Sequence, residues 1–186
     1  MKRRLCMLTP LALALMLAIP AVAATFGDGV AAYSLQQYQR AHKIWLELAE
    51  AGDDRAQFRL AELYELGFGV EQDSARAAHW YLRAAEGGDG QAQLAYAYLL
   101  LGGRGIEENA AEAAVWFRRA ARKGNPKAQF ELATLYLLGE GVEKNLRAAL
   151  RWFEMAQANF PEAAARNRTA DILARIKEML EEEPES

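Results

Sequence analysis

The side chains best suited to chemistry are few. The sequence holds two histidines, His42 and His79, and one cysteine, Cys6. A zinc site on a helix face would pair each histidine with another ligand about one turn away, and neither has such a partner. Cys6 lies inside an apolar leader, so the chain beyond it has no thiol nucleophile and no disulfide. No Gly-x-Ser-x-Gly elbow is present, and the Gly67-Phe68-Gly69-Val70 run lacks the Lys of a phosphate-cradling loop. Glu71, Glu107 and Glu143 recur at a fixed interval like a ladder of metal ligands, but one full interval is too far for a shared ion. These residue types argue against an enzyme and call for no metal and no cofactor.

The first residues, MKRRLCMLTPLALALMLAIPAVAA, set the compartment. Lys2, Arg3 and Arg4 precede an apolar run, and Ala21-Val22-Ala23 supplies the small residues of a cleavage site, so residues 1–23 read as a signal peptide. Pro10 and Pro20 interrupt the run and disfavour a retained anchor. Cys6 is too early for lipid attachment. The expectation is a protein of the periplasm, or one secreted, with no membrane attachment after cleavage. The formal charge of the chain is −3, and loss of the three basic residues makes it more negative. That balance disfavours nucleic acid, which needs a basic face.

What remains must be organised by its repeats. Residues 52–87, 88–123 and 124–159 align without gaps at a period of 36. Gly52, Ala56, Gln57, Ala61, Leu63, Gly67, Gly69, Glu71, Ala77, Trp80 and Ala84 are identical at the corresponding positions of all three copies. Apolar residues fall at three- and four-residue spacing, which predicts two helices per copy, A and B. Asp53, Asp89 and Asn125 read as N-caps of the A helices, and Asp73, Asn109 and Asn145 as N-caps of the B helices. Gly67, Gly103 and Gly139 are placed to end the A helices in a left-handed conformation. Trp80, Trp116 and Trp152, each followed by an aromatic, read as core rather than a cofactor box. One hairpin cannot cover its own apolar face, so the copies must stack. The predicted fold is an all-α, right-handed α-solenoid. Residues 24–51 form an N-terminal capping helix pair, residues 160–182 a C-terminal capping helix, and residues 183–186 an acidic tail. In the last helix Ala170, Leu173, Ile176 and Leu180 make one apolar stripe.

The signature Gly-Asp-x-x-Ala-Gln, Leu-x-x-Leu-Tyr, Gly-x-Gly-Val, then Asp, Ala and Trp, resembles the Sel-one-like repeat family, a relative of the tetratricopeptide repeats. The resemblance implies an adaptor or scaffold that binds a protein or peptide on a concave face built by the A helices. In bacteria it implies roles in envelope assembly, signalling or host contact. A cysteine-rich branch is linked to β-lactam hydrolysis; this chain lacks those cysteines, and a β-lactamase-like hydrolase is the weakest of the alternatives. The other alternative is a secreted or surface factor binding host protein or peptidoglycan.

Positions that differ among copies while their neighbours stay fixed locate a candidate surface. On helix A these are Arg55/Gln91/Lys127, Arg59/Ala95/Glu131 and Glu62/Tyr98/Thr134, one stripe of a helix. Stacked, they predict a ridge of mixed charge centred on Tyr98, whose aromatic ring suits an interface anchor. On helix B, Arg118, Arg119, Arg122 and Lys123 gather positive charge where a helix C-terminus favours it.

Overall fold

The computed structural model describes residues 24–182. The signal peptide read over 1–23 and the acidic tail read over 183–186 lie outside the described residues. Among the described residues there are nine helices and no strand: α1 Phe26–Ser34, α2 Tyr38–Glu50, α3 Asp54–Leu66, α4 Ser74–Gly87, α5 Gly90–Gly102, α6 Ala110–Arg122, α7 Pro126–Leu138, α8 Leu146–Asn159 and α9 Ala163–Glu182. Helices α3, α5 and α7 are the A helices and α4, α6 and α8 the B helices. Each helix packs on the one before it and the one after it, from α1 to α9, as in a repeat solenoid.

Local chemistry sets the helix ends. The carboxylate of Asp53 accepts from the amides of Arg55 and Ala56, and Asp89 accepts from Gln91 and Ala92. Asn125 caps α7, where Pro126 stands in the first turn. Asp73, Asn109 and Asn145 cap the B helices in the same way. Each such cap contributes about 1 kcal/mol. The A helices close at left-handed Gly67, Gly103 and Gly139.

The second glycine of each turn has a further task. Gly69, Gly105 and Gly141 have φ of 73°, 75° and 66°. A Cβ on any of them would strike the backbone at the start of α2, α4 and α6, the last helix of the preceding unit, at residues 38–39, 74–75 and 110–111 respectively. The turn of one copy is therefore pressed against the copy before it.

Packing between copies is made by small residues and one buried amide. Ala56, Ala61, Ala77, Ala84 and their equivalents are fully buried. Gln57, Gln93 and Gln129 are buried as well. Their Nε2 atoms donate to the carbonyls of Ala49, Ala85 and Ala121, at 3.2, 3.1 and 3.0 Å, in the last turn of the preceding helix. Those carbonyls already accept the amides of Gly52, Gly88 and Gly124 just past the helix, and the glutamine adds a second bond that joins each copy to its predecessor. The same bond is made at all three equivalent positions.

The tryptophans are not the deepest aromatics. Tyr81, Phe117 and Phe153, which follow them, are 2%, 0% and 1% exposed, whereas Trp152 is only half-buried. Each deeply buried ring is worth about 2–3 kcal/mol. At the front, the indole of Trp45 lies directly on Gly29 of α1, where no side chain fits. The α1–α2 turn uses left-handed Gln36 (φ 58°) in place of the glycines. At the back, Leu173 and Ile176 of the apolar stripe are buried and Ala170 and Leu180 half-buried, and Thr169 joins them, its hydroxyl donating to the Ala165 carbonyl at 2.8 Å.

Candidate functional site

The face carried by α3, α5 and α7 is grooved. A first depression of about 330 Å3 lies between α3, α4 and α5, lined by Phe58, Glu62, Glu65, Tyr81, Leu94 and Tyr98 among others. A second, of about 400 Å3, lies between α5, α7 and α9, where Tyr98, Lys127, Phe130, Glu131, Phe160 and Arg168 meet. A third, of about 170 Å3, adjoins them through Gln91, Lys127 and Phe160. Shared lining residues make the three one continuous groove, with Tyr98 common to the two larger ones.

Two phenols hold carboxylates in place along it. Tyr98 donates to Glu131 Oε1 at 2.8 Å, across from α5 to α7, and its ring meets Phe117 edge-on at 5.3 Å. Burial, reinforced by the Glu131 charge and its hydrogen bond, pushes the Tyr98 phenol well above its usual range. Tyr81 donates to Glu65 Oε2 at 2.7 Å, and burial followed by the same kind of bond pushes its phenol up. Both stay protonated donors at ordinary pH. Glu65 also pairs with Arg104 at 3.5 Å, and Glu62 with Arg59 at 2.7 Å.

The structure sorts the stripe expected from sequence. It brings Glu62, Gln91 and Tyr98 to the first depression, and Tyr98, Lys127 and Glu131 to the second. Arg59 reaches the groove only through Glu62. Arg55 does not: its guanidinium bonds its own cap Asp53 at 3.0 Å and lies over Phe26 at 4.6 Å. Thr134 spends its hydroxyl on the Phe130 carbonyl of its own helix at 3.0 Å. The expected ridge is thus a groove, because Tyr98 is half-buried and tied to Glu131 rather than projecting.

The residues that sequence comparison missed form the floor. Phe58, Leu94 and Phe130 are equivalent positions, apolar in every copy, and a search for variable positions passes over them. Phe58 meets Tyr81 at 5.6 Å and Phe130 meets Phe153 at 5.1 Å, yet both remain half-buried and line the groove. The signal was their position three residues after Arg55, Gln91 and Lys127, on the same face.

The basic cluster on α6 is largely absorbed by the fold. Arg118 donates to the Tyr136 hydroxyl at 2.9 Å, Arg119 covers Trp116 at 4.2 Å, and the Lys123 ammonium donates to the Gly88 carbonyl. Glu71, Glu107 and Glu143 are exposed. Among the described residues no group of three or more His, Cys, Asp or Glu is placed to hold a metal ion. His42 shares a hydrogen bond of 3.0 Å with the Tyr64 hydroxyl, and burial together with Arg76 lowers its pKa.

The Sel1 repeat pattern matches residues 54–89, 90–125 and 126–156, more than half of the chain. The chain belongs to the Sel1 repeat family. Sel1 repeat proteins generally serve as protein-interaction scaffolds. Among solved structures the chain is similar to a Sel1 repeat protein of Oxalobacter formigenes, at 30% identity and a TM-score of 0.73, over 80% of this chain and 59% of that one. It is also similar to c5321, a protective antigen present in uropathogenic Escherichia coli strains that displays the same repeat fold. There the identity is 29% and the TM-score 0.74, over 80% of this chain and 32% of that one. The chain therefore spans about three-fifths and one-third of the length of these two Sel1 relatives. Cysteine-rich protein B of Helicobacter pylori, at 18% identity and a TM-score of 0.51, shares the fold. No protein of curated function matches the chain.

Proposed function

We propose that this Sel1 repeat chain is an exported, non-catalytic scaffold that holds a protein or peptide partner in the groove of its A helices, in the periplasm or after secretion. The observation that carries the reading is the continuous groove. Its apolar floor of Phe58, Leu94 and Phe130 is bordered by charged groups that Tyr81 and Tyr98 hold in fixed positions. An aromatic floor with an ordered polar rim is what protein recognition requires. Export rests on the leader of residues 1–23, and among the described residues no helix is long and apolar enough to cross a membrane.

Reversing Arg59 and Arg104, exposed cations that pair with Glu62 and Glu65, should sharply reduce partner recovery while circular dichroism is unchanged. Reversing exposed Arg151, on a B helix, should not. Equal recovery from both variants would exclude the groove. The likeness to a protective antigen favours a second reading, a secreted or surface factor that binds host protein or peptidoglycan. Fractionation and a pull-down with purified peptidoglycan separate the two.

A further inference from the structure

We propose that the cavity between α5, α7 and α9 is an anchor site for one apolar, preferentially aromatic side chain of an extended partner segment that carries a carboxylate beside it. This rests on the A-helix groove being the binding surface and names the chemistry it selects.

The cavity is built for a ring. Its walls are Phe130 and Phe160, 6.2 Å apart at 65°, and its far side is the small pair Ala164 and Ala165 of α9, which leave the space open. At about 400 Å3 it lies at the lower end of ligand pockets, enough for one large side chain and its flanking backbone. The backbone carrying Phe160 is held in place. Arg166 donates to the carbonyls of Phe160 and Pro161 at 2.9 and 2.7 Å, and Gln157 donates to the carbonyl of Arg166 at 3.4 Å. A wall that is already ordered loses little freedom when a partner arrives.

The rim chooses the neighbouring charge. Lys127, Arg168, Glu131 and Glu162 surround the opening. Glu131 is committed to the Tyr98 hydroxyl. Neither Lys127 nor Arg168 has an ion-pair partner among the described residues. Two uncommitted cations thus face one uncommitted carboxylate, and an acidic neighbour is favoured over a basic one. The cavity opens through Lys127 and Phe160 into the adjoining depression and through Tyr98 into the first. That continuity suits an extended chain rather than a compact small molecule.

The test uses amide NMR shifts of the purified protein with three blocked dipeptides: N-acetyl-Phe-Asp-amide, N-acetyl-Phe-Lys-amide and N-acetyl-Ala-Asp-amide. The first should shift the amides of Phe130, Phe160 and Thr169, with the other two at least about fivefold weaker, as expected for loss of an exposed ion pair or of ring burial. Lys127→Glu with Arg168→Glu alters only exposed positions and should reverse the preference to the Phe-Lys peptide. Equal binding of the Asp and Lys peptides, or no shift at Phe130 from any of the three, overturns the proposal. Shifts confined to Phe58, Glu62 and Glu65 overturn it while leaving the groove as the binding surface. Concentration-dependent shifts at Phe130 without peptide would make the occupant a second copy of the chain and overturn it too.

Discussion

Gln93→Leu and Gln129→Leu make the same chemical change at equivalent positions, and the structure gives them different costs. Both side chains are buried, and both donate to a last-turn carbonyl of the preceding helix, at 3.1 and 3.0 Å. They differ at the oxygen. Gln129 Oε1 accepts from Asn159 Nδ2 at 3.0 Å, whereas Gln93 Oε1 is buried without a partner among the described residues. Leucine is similar in volume, so the cavity term is small. At Gln129 the change removes two hydrogen bonds, each about 1 kcal/mol net, for a total of about 2 kcal/mol, while exposed Asn159 turns to water. At Gln93 it removes one bond of about 1 kcal/mol but also abolishes a buried unpaired oxygen that costs at least as much, so the net is near zero. The Ala85 and Ala121 carbonyls keep the amides of Gly88 and Gly124 in either variant. Urea unfolding followed by far-ultraviolet circular dichroism measures the difference, with unchanged m-values as the check that both variants unfold alike. Asn159→Ala, which orphans the Gln129 oxygen, should fall on the costly side. Equal losses at Gln93 and Gln129, or a larger loss at Gln93, would refute the reasoning.

Three further outcomes are expected. Gly105→Ala must adopt φ near 75° and also push against the backbone of Ser74 and Ala75, so it should cost clearly more than Gly124→Ala, which needs a positive φ but meets open space and should cost about 1 kcal/mol; thermal unfolding compares them. Tyr98→Phe should lose about 1 kcal/mol at neutral pH. The raised Tyr98 phenol gives stability that is fully present below the unfolded value of about 10 and is lost as pH rises through the folded value, so the variant should also lose stability less steeply above pH 10 than the parent. His42 has its pKa lowered, so its contribution is present above the unfolded value of about 6.5 and falls away as pH drops through the folded one; His42→Gln should flatten the stability profile in that window.

Helix ends were legible because each depends on a few adjacent residues. An Asp or Asn followed by helix formers, and a glycine where φ must be positive, determine a cap whatever lies across from it. Helices α1, α2 and α9 lie where the repeat pattern stops. The role of Gln57, Gln93 and Gln129 was not: their identity was plain, but the carbonyl each one meets is fixed only once the preceding helix is docked. The same holds for Gly69, Gly105 and Gly141, which read as turn residues and prove also to be contact points between copies. The groove was legible in part. Variation among copies led to Gln91, Tyr98, Lys127 and Glu131, since rim residues differ freely. It also led to Arg55 and Thr134, whose polar groups are consumed locally. It missed Phe58 and Phe130, because a floor that also serves the core stays apolar. It missed Phe160 and Arg168, because they stand outside the repeat, on the cap that closes the groove.

Site-specific photocrosslinking in the producing cell tests the central claim most directly. A photoreactive residue at Gln91, exposed on the groove side of α5, should yield a discrete adduct, and one at Arg151, exposed on α8, should yield none. An adduct from Arg151 with none from Gln91 would place the partner on the B helices and contradict the account.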